Sequence, residues 1–174
     1  MEQLVITVLG DDRTGLVEAL SGAITGNGGN WERGEMMELA GKFAGVLLVT
    51  VSPSKADALK ADLSRIEASG LLKIEIASVS TNDARPGHKF RMNITGQDHS
   101  GIVHEISEAL ADSDVNIDGF SSEVVPAPMG GEMFVASAVL DSPITMSLHD
   151  LQNILEAVAT DLIVDLEAHD THVA

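Results

Sequence analysis

Cysteine is absent from this 174-residue chain. That removes a disulfide framework, a thiolate zinc site and a cysteine nucleophile together. Cationic residues are scarce: ten Lys and Arg stand against 27 Asp and Glu, a formal net charge of −17. Binding to nucleic acid requires neutralised phosphates, and with no basic cluster in the sequence direct contact with DNA or RNA is not expected. The same charge disfavours anionic membrane surfaces. Long apolar runs are missing too, none approaching the roughly 20 residues that cross a bilayer. Met1-Glu-Gln-Leu-Val-Ile opens as a strand would and not as a basic segment before an apolar one, so a soluble cytoplasmic protein is expected.

What the chain does have is a sentence said twice. Gly10-Asp-Asp-Arg-Thr-Gly-Leu-Val returns as Gly96-Gln-Asp-His-Ser-Gly-Ile-Val. Gly10 to Gly96, Asp12 to Asp98, Gly15 to Gly101 and Asn30 to Asn116 are each 86 positions apart without a gap. That period is domain-sized, well beyond the roughly 20 to 50 residues of solenoid repeats. With 44% hydrophobic residues the chain can fill two small cores.

Each copy of the motif follows an apolar alternating stretch and precedes an amphipathic one. The pattern predicts a tight turn from strand into helix, a place where free N–H groups and a partial positive charge suit a carboxylate. Asp12 and Asp98 have a plainer alternative as helix caps, with the glycines as turn formers.

Taken in order, Leu4–Leu9 reads as a strand, and Leu16, Val17, Leu20 and Ile24 give a helical stripe ending at Gly26-Asn-Gly-Gly. From Trp31 a strand carries a bulge or bend near Gly34, and Phe43–Val51 reads as a central strand. Ser52-Pro53 starts a second helix bearing Leu59, Leu63 and Ile66, and Leu72, Ile74 and Ile76 alternate in a last strand. The second half repeats the series with Ile102, Val103, Ile106 and Leu110, a longer hairpin loop at Pro126-Ala-Pro-Met-Gly-Gly, and a final helix after Pro143. The expected organisation is α+β, two ferredoxin-like βαββαβ domains in tandem at 1–80 and 89–169, joined by a linker at 81–88 and followed by a frayed tail at 170–174. Each sheet would have one face under its helices and one bare face needing a partner, for which the second copy is the obvious candidate.

An Asp-Arg-x-Gly-Leu-Val turn at a strand-to-helix junction, with Asn fifteen residues after the second Gly, resembles the ACT domain. The resemblance covers nearly the whole chain as a tandem pair. More narrowly, two such halves with no attached enzyme or DNA-binding segment resemble the glycine cleavage system transcriptional repressor family. The resemblance implies a ligand site where two domains meet, built from the first loop and the start of the second strand. Carried onto this sequence, those positions are Asp12, Arg13, Thr14, Gly15 and Asn30, then Asp98, His99, Ser100, Gly101 and Asn116. Thr14 and Ser100 stand where the family often has Pro, and His99 replaces the arginine in the second copy.

The implied function is that of a non-enzymatic regulator which binds a small amino acid, glycine or similar, and acts on a protein partner that is a transcription regulator. The alternative is a detached regulatory subunit of an amino-acid-metabolising enzyme. No cofactor and no catalytic constellation is read from the sequence, and a homodimer is compatible with it. His99 and His104, five apart, lack the further ligands a metal needs. Met36, Met37, Met129 and Met133 are expected to fill core or hairpin, and Trp31 to bury against its sheet.

Overall fold

Alternation organises the first strand: Leu4, Ile6 and Val8 are buried while Thr7 and Leu9 are exposed, so β1 (Glu2–Asp11) lays one face on a core and turns the other outward. The computed structural model describes residues 1–79, 87–128, 130–158 and 161–169. The chain divides into two units, Met1–Asp83 and Ala84–Ala174. In the first, β1 is followed by α1 (Leu16–Gly26), β2 (Asn30–Leu39), β3 (Lys42–Val51), α2 (Pro53–Ala68) and β4 (Lys73–Ser78). The second repeats this as β5 (Gly87–Gln97), α3 (Ile102–Asp112), β6 (Asn116–Pro126), β7 (Glu132–Pro143), α4 (Leu148–Val158) and β8 (Leu162–Ala168). Both sheets are antiparallel, ordered β2-β3-β1-β4 and β6-β7-β5-β8. The chain is therefore α+β, with the βαββαβ pattern present twice.

Each unit has its own core. In unit 1 the buried face of β1 and β3 meets Leu16, Leu20 and Ile24 of α1 and Ala56, Leu59 and Leu63 of α2. In unit 2 Met92, Ile94 and Leu140 meet Ile106, Leu110, Leu151 and Leu155. Of the helical stripes, Val17 and Val103 stay out of these cores, at 48% and 42% exposure. Leu16, Leu20 and Ile24 are four apart and fall on one side of α1, whereas Val17 is turned about 100° from Leu16. Asn27 ends α1 and is nearly buried because its Nδ2 donates to the Ala23 carbonyl at 2.9 Å and to Asp62 Oδ2 of α2 at 2.6 Å.

The expected irregularity in β2 is a register shift between Trp31 and Arg33, and an equivalent shift lies between Ile117 and Gly119. Trp31 packs on the unit 1 core and crosses Gly34, where a Cβ would sit 2.9 Å from the indole Nε1. Met36 packs on that core as well, but Met37, one residue on and therefore on the opposite sheet face, is 57% exposed instead of filling a core. Met129 lies outside the described residues.

Strand β5 begins at Gly87, so Gly87 and His88 belong to the sheet through their pairing with Pro143 and Ser142 and not to a linker. At the other end His169 is held by its N–H donating to the Lys89 carbonyl at 2.8 Å.

The last helix carries a cap that its apolar pattern does not announce. Ser147 and Asp150 bond reciprocally: Asp150 Oδ2 accepts from Ser147 N–H at 3.0 Å and from its Oγ at 2.6 Å, and Asp150 N–H donates to Ser147 Oγ at 3.2 Å. This is a capping box with Asp in place of Glu. The Ser147 hydroxyl, followed by its backbone N–H and the neighbouring His149, holds the Asp150 carboxyl below the ordinary aspartate range. A depressed carboxyl stabilises the fold above its unfolded pKa, and that contribution disappears as pH falls through the folded value. Acidification below about pH 4 should therefore weaken the N-terminal cap of α4. Hydrogen exchange of α4 peptides should show the effect in the wild type, and Ser147→Ala should remove most of the difference between neutral and acid.

Candidate functional site

The repeated motif folds the same way in both units, and its three parts do different work. Gly10 and Gly96 are the last helix-side positions of β1 and β5, where the chain entering β4 or β8 crosses over them. A Cβ on Gly10 would lie 2.6 Å from the Leu71 carbonyl oxygen, and one on Gly96 would lie 2.8 Å from that of Asp161. Glycine is required there for close approach of backbones. Asp12 and Asp98 then anchor the turn through backbone only, their N–H groups donating to the carbonyls of Gly41 (2.9 Å) and Glu132 (3.1 Å) in the neighbouring hairpin.

Gly15 and Gly101 are the N-caps of α1 and α3, with φ of 97° and 98° in the left-handed region. Neither helix end has a side-chain cap, so the reading of Asp12 and Asp98 as helix caps is overturned: they stand three residues too early. The Gly15 carbonyl accepts the first helical bond from Ala19 N–H at 2.9 Å, and the Gly101 carbonyl accepts from Glu105 N–H at 3.0 Å. Ahead of that bond, the N–H groups of Leu16, Val17 and Glu18 have no backbone acceptor among the described residues. Asp12, Arg13, Thr14 and Gly15 are all exposed around them. Amides without an acceptor, at the positive end of the helix dipole, make the α1 end receptive to an anion.

The second copy differs where chemistry counts. Its first helical turn carries Glu105, aligned with Ala19, and the Glu105 Oε1 lies 3.6 Å from where a Gly101 Cβ would be. His99, aligned with Arg13, puts Nε2 3.9 Å from Glu105 Oε2 and Nδ1 3.3 Å from the Ser100 carbonyl. The α3 end thus already has a carboxylate beside it. The first turn of α1 also holds one carboxylate, Glu18, but nothing lies within 4 Å of the place a Gly15 Cβ would take.

Asn30 and Asn116 lie at the far end of their sheets. Asn30 pairs with Thr50, which pairs with Gln3, while the turn leaves the sheet after Asp11. At about 3.3 Å per residue, eight residues separate these ends by about 26 Å. Within one unit the structure therefore makes two groups, the turn and the Asn end, and does not bring them together. At the Asn end of unit 1, Glu32 Oε1 accepts from Asn30 Nδ2 at 2.9 Å and from Thr50 Oγ1 at 2.6 Å. Those two donors, Thr50 first, pull the Glu32 carboxyl below its usual range. In unit 2 Asn116 Nδ2 donates to Asp118 Oδ1 at 2.8 Å, and Lys89 pairs with both Asp118 and Asp141, the latter at 3.0 Å. Its bond to Asp118 raises the Lys89 pKa. The second Asn end holds its own cation; the first shows a carboxylate bound only to neutral donors.

Beside the first turn lies a cleft of about 440 Å³ that the sequence did not disclose. Leu9, Leu71 and Leu72 line it, with Lys42, Lys73 and Glu67 at its rim. Lys42 pairs with Asp11, an interaction that, with Arg13 nearby, lowers the Asp11 carboxyl. The signal for it lay in residues far apart in sequence, which only the β1–β3 and β1–β4 pairings juxtapose.

Residues 2–76 match the ACT domain family. That match covers unit 1, which is similar to an ACT domain, and unit 2 repeats its βαββαβ pattern. Among solved structures, an uncharacterised protein from Galdieria sulphuraria superposes with a TM-score of 0.84 at 26% identity, over 97% of this chain and 98% of that one. A candidate glycine cleavage system transcriptional repressor superposes with a TM-score of 0.70 at 17% identity, again over 97% and 98%. No curated protein matches the sequence. Among the described residues no helix is long and apolar enough to cross a membrane.

Proposed function

We propose that this protein is an amino-acid-responsive regulator that controls expression of glycine cleavage genes through a protein partner, a transcription regulator, and not through DNA. The observation that carries the amino-acid part is the α1 N-terminus: three amides without a backbone acceptor among the described residues follow a left-handed glycine, and the exposed Arg13 stands two residues ahead of that glycine in the chain. A carboxylate placed there receives charge-assisted hydrogen bonds from the amides and the guanidinium. The likeness to a candidate glycine cleavage repressor supports the choice of regulated genes, and the net charge of −17 supports the indirect route. A ligand alters a partner interaction only by its different affinity for the two states, so the amino acid must bind the free and partner-bound forms unequally.

Of the two copies, the first is the stronger ligand site in this reading, because Glu105 already attends the α3 end and Lys89 already neutralises the second Asn end. Titration calorimetry with glycine, serine and other small amino acids at millimolar concentration tests the proposal, and heat from none of them would end it. Given binding, Arg13→Ala should weaken it about ten-fold or more, the value of one charge-assisted bond, whereas His99→Ala should change it less than about two-fold.

A further inference from the structure

Asn27 is the one asparagine of this chain that precedes a glycine; the others stand before Trp31, Asp83, Ile94, Ile117 and Ile154. In an Asn-Gly pair the side-chain amide converts readily to a carboxylate, because the glycine has no Cβ to hinder its own nitrogen and its backbone turns freely. The Gly28 nitrogen bonds to Asn27 Cγ and gives up its proton, and Nδ2 leaves with that proton as ammonia, closing a five-membered imide. Water then opens one of the two bonds from the imide nitrogen to a carbonyl carbon. Opening at Cγ gives aspartate on an unchanged main chain; opening at the Asn27 main-chain carbonyl gives isoaspartate, with the main chain one carbon longer.

The fold holds both nitrogens away from this chemistry. Gly28 N–H donates to the Thr25 carbonyl at 2.9 Å, and Asn27 Nδ2 is held by the Ala23 carbonyl and by Asp62 Oδ2 of α2, in a residue only 9% exposed. The other oxygen of Asp62 pairs with Arg65. The turn itself does not require the bond to Asp62. At the matching position of unit 2, 86 residues on, Ser113 Oγ donates to the Ala109 carbonyl, four residues back, at 3.0 Å, and among the described residues reaches no other helix. Asn27 makes the same local bond, and its tie to α2 comes in addition.

We infer that Asn27 is a deamidation site gated by the opening of unit 1, and that its conversion turns the tie between α1 and α2 into a contact between two carboxylates. In the folded unit the reaction is held back; each opening frees both nitrogens, and the product refolds with no donor for Asp62 Oδ2. The change runs one way, since chemistry on the open form withdraws it from the folding equilibrium. Unit 2, with serine at this position, has no counterpart. The inference depends on neither the amino-acid ligand nor the protein partner.

The test incubates the full chain in mildly alkaline buffer, with and without denaturing urea, and maps the products with trypsin and mass spectrometry. All ten Lys and Arg fall at or before Arg91, and cleavage after Arg13 and Arg33 releases the 14–33 peptide, which holds both Asn27 and Asn30. In urea Asn27 should convert about ten-fold or more faster than Asn30, whose neighbour is Trp31. Without urea the conversion of Asn27 should slow about ten-fold or more. Asn27→Asp should lower the unfolding midpoint of unit 1, read from Trp31 fluorescence, by about 4 °C or more, and Asn27→Ser, which keeps the bond seen at Ser113, should lower it less. Adding Asp62→Asn to Asn27→Asp exchanges the two partners and should recover at least about half of the loss. Equal conversion of Asn27 with and without urea, or an Asn27→Asp chain as stable as wild type, would overturn the inference. So would no recovery in the exchanged pair, since a carboxylate at the helix end would then be unfavourable by itself. Should Asn27→Asp fail to fold, the exchanged pair decides by whether it folds.

Discussion

Leu20→Ala should lower the midpoint of thermal unfolding of unit 1 by about 10 °C or more, whereas Val17→Ala should scarcely move it. The two residues sit on one helix, three positions apart, and are both apolar, yet Leu20 is fully buried and Val17 is 48% exposed. Truncating a buried leucine removes its transfer free energy and leaves a cavity, a loss of about 2–5 kcal/mol. In a unit of this size each kcal/mol shifts the midpoint by about 4–8 °C. An exposed valine stays within about 0.5 kcal/mol. The measurement is convenient because the only tryptophan, Trp31, packs on the unit 1 core, so its fluorescence follows that unit alone. Equal shifts for the two variants would mean that α1 is not seated as described. Ile106→Ala and Val103→Ala should reproduce the contrast in unit 2, read by hydrogen exchange.

The second large effect separates the two glycines of the repeated motif. Gly10→Ala should destabilise unit 1 by about 1–3 kcal/mol, since its Cβ would meet the Leu71 carbonyl at 2.6 Å and Leu72 Cδ2 at 3.0 Å, and a backbone must move to admit it. At Gly15 nothing lies within 4 Å of the place an added methyl group would take, but φ is 97°. Gly15→Ala should cost about 1–2 kcal/mol through backbone strain alone. Gly15→Asn should be better tolerated than Gly15→Val, because asparagine visits positive φ and a β-branched residue does not. Denaturant titrations of the four variants would order them. Should Gly15→Val prove as stable as wild type, the left-handed cap, and with it the anion-receptive helix end, is not there.

Much of the fold is legible in the sequence for a physical reason: the periods of the apolar residues are clean. Leu4, Ile6 and Val8 alternate, Leu59 and Leu63 repeat at helical spacing, and the 86-residue offset requires that whatever one half does the other does too. The irregularity expected near Gly34 falls between Trp31 and Arg33, while Gly34 itself makes room for the Trp31 indole. The features that escape are less local. A capping role for Asp12 and Asp98 overlooks that the chain needs three more residues to turn before the helix begins, leaving Gly15 and Gly101 at the cap. The family resemblance puts the turn and the Asn residues in a site where two domains meet; within one unit they stand at opposite ends of the sheet, because β2 starts beside the beginning of β1 and not its end. Ser147 and Asp150 are overshadowed by Pro143, which looks like a helix start but belongs to β7.

The location of the cations has one more consequence. Trypsin cleaves after Lys and Arg, and beyond Arg91 it has nothing to cut. The last two sites, Lys89 and Arg91, lie within β5, an inner strand hydrogen-bonded on both sides to β7 and β8. A protease can reach them only when that strand leaves the sheet, so the rate at which an intact 92–174 fragment accumulates measures how often the second core comes apart.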